Sequence, residues 1–170
     1  GNRFPPAYQD DTTAPSAVED IAALEAVTKV AGSLRMRLYR DAGQKPNQLH
    51  FRLFRPAHPI PISDVLPTME NLGLKVISER PYDMESPAGW TVWIQDFELQ
   101  HRDGLALDLP RIDANLQDTF ASVWQGQAEN DGFNRLVLNA ALTWRHTAVL
   151  RAYCRYLLQT GIPFSQPYME

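Results

Sequence analysis

The feature that most constrains this chain is a change of hydrophobic period near residue 110. Upstream, Leu34, Met36 and Leu38 alternate with Arg35 and Arg37, and Leu49, Phe51 and Leu53 alternate with His50 and Arg52. A period of two belongs to a strand with one buried face. Residues 74–79 (LKVISE) and 90–99 (WTVWIQDFEL) read as two more strands, separated by the turn-rich PYDMESPAG. After Asp108 the period becomes helical and stays so. Leu116, Phe120, Val123 and Trp124 mark one helix, Phe133, Leu136, Val137 and Ala140 a second, and His146, Leu150, Tyr153 and Leu157 a third.

Two helices punctuate the strand region. Ser16 with Glu19 has the form of a capping box, and Val18, Ile21, Leu24 and Val27 follow at helical spacing toward Gly32. Ser63 and Asp64 offer a cap to a second helix, lined by Val65, Leu66, Met69 and Leu72, with Pro67 in its first turn and Gly73 at its end. The order ββαββ predicts an α+β fold in which a sheet carries a helix on one face. Three regions follow: a proline-bearing extended arm over 1–15, an αβ module over 16–109 and a helical segment over 110–170.

Composition bounds the function. The 170 residues suffice for a real core, and no apolar run approaches the roughly 20 residues that a membrane helix needs. A net charge of −4 disfavours nucleic acid. An RNA-binding βαββ sheet is the competing reading of the alternating arginines, but the chain lacks the aromatic–glycine run that stacks bases. Arg35, Arg37 and Arg52 are expected instead to form a polar sheet face, solvated or covered by further polypeptide. The single cysteine, Cys154, rules out an internal disulfide, fits a reducing cytoplasm and reads as a core residue. The first residue is Gly1 and the sequence stops at what reads as a new turn, the marks of a piece cut from a longer protein.

Signals for chemistry are sparse. The nine glycines are scattered, with no G-x-G and no GK[ST], so no backbone cradle for a nucleotide phosphate is legible. His50, His58, His101 and His146 lie too far apart for a metal motif, and no G-x-S-x-G elbow occurs. The acidic pairs Asp10–Asp11 and Glu129/Asp131 read as solvated, with Asp131 a cap for the helix from Phe133. Arg151 and Arg155 stand one turn apart, where they can take a carboxylate partner. No catalytic residue, metal ligand or bound cofactor is assigned to these residues.

Two longer runs are more specific. VWQGQAENDGFNRLVLNAALTWRHTAVLRAYCRYLLQTGIPFS (123–165) resembles the stretch upstream of the catalytic domain in large bacterial NAD-dependent glutamate dehydrogenases. LRMRLYR (34–40) with FRLFRPAHPIPISDVLPTMENLGLKVISERPYDM (51–84) resembles the last ACT-like module of the same enzymes, and RFPPAYQDD (3–11) the linker before it. Minor departures fall at His146 and Cys154. The resemblance implies an ACT-like, ferredoxin-like sheet followed by helices. It also implies a parent that deaminates L-glutamate to 2-oxoglutarate and ammonia with NAD as cofactor, in a downstream domain, so that no catalytic residue carries over. Partners implied are the rest of the same polypeptide, sister subunits and a small amino-acid effector. ACT-like modules take such effectors at the first strand-to-helix loop, here residues 55–64, which makes His58, Ile60, Ser63 and Asp64 the candidate effector-binding residues. A helix start there would receive a carboxylate, while Asp64 suits an ammonium. The competing reading has this loop only cap a strand and hold the helix.

Overall fold

The structure, a computed structural model, describes residues 4–29, 33–85, 89–161, 163 and 165–169. Two helices come first, α1 (Pro6–Asp11) and α2 (Ala14–Lys29). Four antiparallel strands follow, β1 (Arg35–Tyr39), β2 (Gln48–Pro56), β3 (Leu74–Glu85) and β4 (Thr91–His101), in the spatial order β1-β2-β4-β3. Between β2 and β3 runs α3 (Ile62–Asn71), and after β4 come α4 (Leu109–Trp124), a 3-10 turn (Gly132–Arg135) leading into α5 (Leu136–Asn139), α6 (Trp144–Gln159) and α7 (Gln166–Met169). The sheet with its helices is the expected α+β class. β2-α3-β3-β4-α4 supplies five of the six elements of a ferredoxin-like unit. β1, although first in sequence, fills the edge position that a strand after α4 would take.

Alternation decides what each face buries. Leu49, Phe51 and Leu53 of β2 and Phe97 and Leu99 of β4 pack against Val65, Met69 and Leu72 of α3 and Ile112, Leu116 and Phe120 of α4. Each such side chain contributes about 1.5–3 kcal/mol when fully buried. The opposite face holds a smaller core of Phe54, Tyr82, Val92 and Ile94 against Tyr8, Leu24 and Val27. Helices therefore cover the sheet on both sides, with α1 and α2 forming the layer that the strand pattern left open.

Several expectations shift, each for a physical reason. Part of the 1–15 arm is helical rather than extended: Pro6 opens α1, where a missing N–H costs nothing, and Tyr8 is buried. α2 begins at Ala14, so Ser16 caps nothing, and its hydroxyl accepts from Arg37 instead. The inward face of α2 is Asp20, Leu24 and Val27, leaving Val18 and Ile21 exposed. The expected end of this helix at Gly32 lies outside the described residues. β3 continues through Pro81 to Glu85, tolerable because β3 is an edge strand. α3 starts directly after Pro61, so neither Ser63 nor Asp64 caps it, and Pro67 falls inside the helix beyond its first turn. α6 buries Thr147, Arg151 and Cys154 and turns Leu150, Tyr153 and Leu157 outward. Cys154 is a core residue as expected, and Asp131 does cap, accepting from the Phe133 N–H.

Gly73 closes α3 in the left-handed region at φ +86°, and a Cβ there would meet only the Arg135 Cβ at 3.6 Å, an ordinary contact. The cost of Gly73→Ala is therefore conformational, about 1–2 kcal/mol. Urea unfolding should show that loss with an unchanged m-value, and a neutral result would mean the turn is not held as described.

Candidate functional site

Cross-strand register sorts the second sheet face into rows. Arg35, Phe54, Ile94 and Tyr82 form one, Arg37, Arg52, Asp96 and Arg80 the next, and Tyr39, His50, Glu98 and Ser78 the third. α1 and α2 roof the first row. The second holds three cations around one anion, and like charges directly opposite in a sheet repel.

α2 supplies the missing carboxylate. Asp20, fully buried, accepts from Arg52 Nη1, from Arg37 Nη1 at 2.8 Å and from the Tyr8 hydroxyl at 2.6 Å. Asp96 accepts from Arg52 Nε at 2.9 Å and from the Tyr39 hydroxyl at 2.6 Å, and lies 3.0 Å from His50 Nδ1. Arg52 is itself only 2% exposed and also donates to Thr12 Oγ1 at 3.2 Å. Its guanidinium lies over the rings of Tyr8 and Tyr39, 5.6 and 4.8 Å from their centroids. A buried cation is thus held between β4, α2 and the link from α1 to α2, with carboxylates on both sides. At the far edge Tyr82 donates to Asp11 at 2.8 Å and Arg80 pairs with the same carboxylate, fastening the end of α1 to β3.

These contacts set the protonation states. Burial pushes the Tyr8 and Tyr39 phenols up, and the carboxylates of Asp20 and Asp96 respectively push them further, so both remain donors. Burial opposes the charge of Arg52, but Asp96 and Asp20 more than offset it. Burial likewise raises Asp96, yet bonds from His50, Arg52 and Tyr39 win and hold it below the ordinary 3.8. Burial pulls His50 down, but its bond to Asp96, with the charges of Asp96, Asp41 and Glu98, leaves it above 6.5.

The third row opens onto a cleft of about 200 Å³, walled by Tyr39, Asp41, His50, Ser78, Arg80 and Glu98. With Asp11 and Asp96 also in its lining, four carboxylates face Arg80 and His50, so the cleft suits a polar guest carrying an ammonium. The four residues singled out in sequence lie elsewhere. His58, Ser63 and Asp64 are exposed beyond the end of β2, while Ile60 points into the core and its N–H and C=O bond the Gln95 amide at 2.7 and 2.9 Å. The site residues that sequence reasoning passed over are Tyr8, Asp20, Tyr39 and Asp96. Arg151 behaves in the same way, buried and donating to Asp131 at 2.6 and 2.7 Å, whereas Arg155 pairs with Glu129 at the surface. Glu129 and Asp131 are therefore ion-pair partners rather than freely solvated acids.

Neither strand-to-helix junction fits a dinucleotide. The β2–α3 turn, residues 57–61, has no glycine, its Ile60 amide is taken by Gln95, and Asp64 stands in the first turn of α3. At the β4–α4 junction Asp108 occupies the N-cap and Pro110 removes an amide from the first turn. A pyrophosphate at either helix start would meet negative charge and few free amides.

Two outcomes follow. Asp20→Asn leaves two adjacent arginines short of a charge, and removing one partner of a buried pair costs about 3–5 kcal/mol, measurable by denaturant unfolding. His50, raised in the folded state, stabilises fully below 6.5 and loses that contribution as pH rises through its folded value. Asp96, depressed, contributes above 3.8 and loses it as pH falls toward its folded value. Stability should therefore peak between these limits, and His50→Gln should flatten the alkaline limb and, because His50 also helps hold Asp96 down, shrink the acid limb as well. Equal slopes in both proteins would contradict the His50–Asp96 pairing.

Residues 33–112 match the glutamate dehydrogenase ACT3 domain, residues 128–170 glutamate dehydrogenase helical motif 3, and residues 1–27 helical motif 2. The chain is 41% identical over 166 residues to the NAD-specific glutamate dehydrogenases of Halomonas elongata and of Pseudomonas aeruginosa. To that of Mycobacterium tuberculosis it is 31% identical over 172 residues. Each match covers 98% of this chain and 10% of the relative, so the chain spans about a tenth of their length. No helix among the described residues is long and apolar enough to cross a membrane. A four-stranded antiparallel sheet with flanking helices, matched nearly end to end, places the chain in the NAD-specific glutamate dehydrogenase family, within its ACT3 and helical-motif region.

Proposed function

We propose that the chain is a non-catalytic regulatory and structural region of an NAD-dependent glutamate dehydrogenase. The whole enzyme would deaminate L-glutamate to 2-oxoglutarate and ammonia, with NAD bound outside these residues. The observation that carries this reading is the pinned sheet: helices of the same chain pack on both faces, and the buried Arg52, held by Asp96 of the next strand, ties α2 down through Asp20. Such a block transmits position rather than deforming. In this reading the αβ module over 16–109 is the stiff unit, the arm over 1–15 lies along it, and the helical segment over 110–170 joins it to the rest of the polypeptide and to sister subunits.

A second reading, an amino-acid effector sensor, is favoured by one observation, the cleft beside His50. Its carboxylates suit an ammonium and Arg80 a carboxylate. The loop over 55–64, with Ser63 and Asp64 at the start of α3, is the alternative seat.

Thermal melts of the chain with each of the twenty amino acids separate the two. The support reading expects no shift. A sensor at 100 times its Kd gains about 2.7 kcal/mol, lost with Glu98→Gln if the cleft is the seat and with Asp64→Ala if the loop is. The purified chain with L-glutamate and NAD should form no NADH, and NADH formation would overturn both readings.

A further inference from the structure

We propose that the outward side of α6 is a docking surface for an amphipathic helix from another part of the same polypeptide, outside residues 1–170. This rests on the support reading above and gives it a place of attachment. α6 buries Thr147, Arg151 and Cys154 on one side. At 3.6 residues per turn, Val149, Tyr153 and Tyr156 fall on the opposite side, and they are 53%, 64% and 64% exposed. Leu150 and Leu157 flank them, also exposed. The spacing repeats after four, three and one residues, the seam that helix-on-helix packing uses. Val149, Ala152, Tyr153 and Tyr156 also line a shallow groove of about 400 Å³.

Single exposed apolar residues are ordinary on a protein surface, whereas three aliphatics and two tyrosines on one helix side form a contiguous patch. The inner side of α6 meets the 3-10 turn, α4 and α5, and α7 joins it there through Met169 against Cys154, so among the described residues the outer side stays uncovered. Tyrosine on such a patch presents a broad apolar ring with a hydroxyl that can stay wet at the rim, the composition of a protein interface.

Charge and length identify the occupant. α6 contains no acidic residue. Arg151 and Arg155 are engaged by Asp131 and Glu129, while Arg145 and His146 in the first turn make no ion pair among the described residues. The fitting partner is therefore a helix with an aliphatic stripe and a carboxylate near Arg145. The chain spans 10% of its relatives' length, and a helix tethered in the same polypeptide reaches the patch at high effective concentration without a second molecule.

The test uses the full-length enzyme with Tyr153 replaced by the photoreactive p-benzoylphenylalanine, and the same replacement at the exposed Asp118 as control. Irradiation should join α6 to a helix outside residues 1–170, in a product that keeps the mass of one polypeptide under denaturing conditions. Val149→Glu with Tyr156→Glu should abolish it, and the replacement made at Tyr156 instead should label the same helix. Four results overturn the proposal: a product of two polypeptide masses, capture of a different protein, a link confined to residues 1–170, or a yield no greater than at Asp118. Any of these removes the surface and leaves the support reading intact, whereas NADH formation by the isolated chain removes that reading whatever the cross-link shows.

Discussion

A guanidinium cannot leave water alone, and the burial of Arg52 dictates how the second face of the sheet is built. Its charge needs carboxylates within hydrogen-bond reach from more than one side. Asp96 provides one from the neighbouring strand and Asp20 another from α2, and Tyr8 and Tyr39 complete those acids by donating to them. Replacing the ions with well-packed apolar residues could be equally stable, but it would remove a constraint on register. A slip of one residue in β2 would turn Arg52 into the apolar core of Phe51, Leu53 and Phe97, where no carboxylate waits. The network thus specifies alignment as much as it contributes stability.

Strand period was the most legible part of the sequence. The alternation around Phe51 and Leu53 marked β2 and its buried face, and the apolar 90–99 run marked β4, because a half-buried strand leaves a period-two trace. Gly73 and Asp131 were legible as helix punctuation for equally local reasons: a left-handed backbone and a side chain that accepts a free amide. β3 ran longer than its pattern suggested, since Pro81 reads as a break and only edge position makes it harmless.

The site was less legible, and α2 shows why. Apolar periodicity favoured Val18 and Ile21 as inward residues, yet the helix turns Asp20 inward because two arginines of the sheet demand it. α6 repeats the case: Arg151 is drawn inward by Asp131, and Tyr153 and Leu157 end outside. Rules that place charges at the surface fail where the partner sits on an element distant in sequence. Asp96 within the apolar WIQDFEL run was a usable signal, an acid on a strand too apolar to be solvent-facing. Asp20, four residues before Leu24, carried a weaker one. The arginines that seemed to offer a polar sheet face are, at Arg37 and Arg52, under α2 rather than open to a ligand or a base.

Both halves of the chain therefore use one device, an inward arginine or its acid fixing a helix by ionic geometry beside a shortened set of apolar contacts, Leu24 and Val27 on α2 and Cys154 on α6. The consequence is geometric. When the inner side of a helix is set by Asp20 or Arg151, the apolar residues that usually occupy that side are displaced around the helix. Val18 and Ile21 on α2 and Val149, Tyr153 and Tyr156 on α6 accordingly face outward on elements that are already firmly held. A helix held by ions together with a few inward apolar residues leaves its outward apolar residues without a role in its own anchoring, free to define what packs against it from outside.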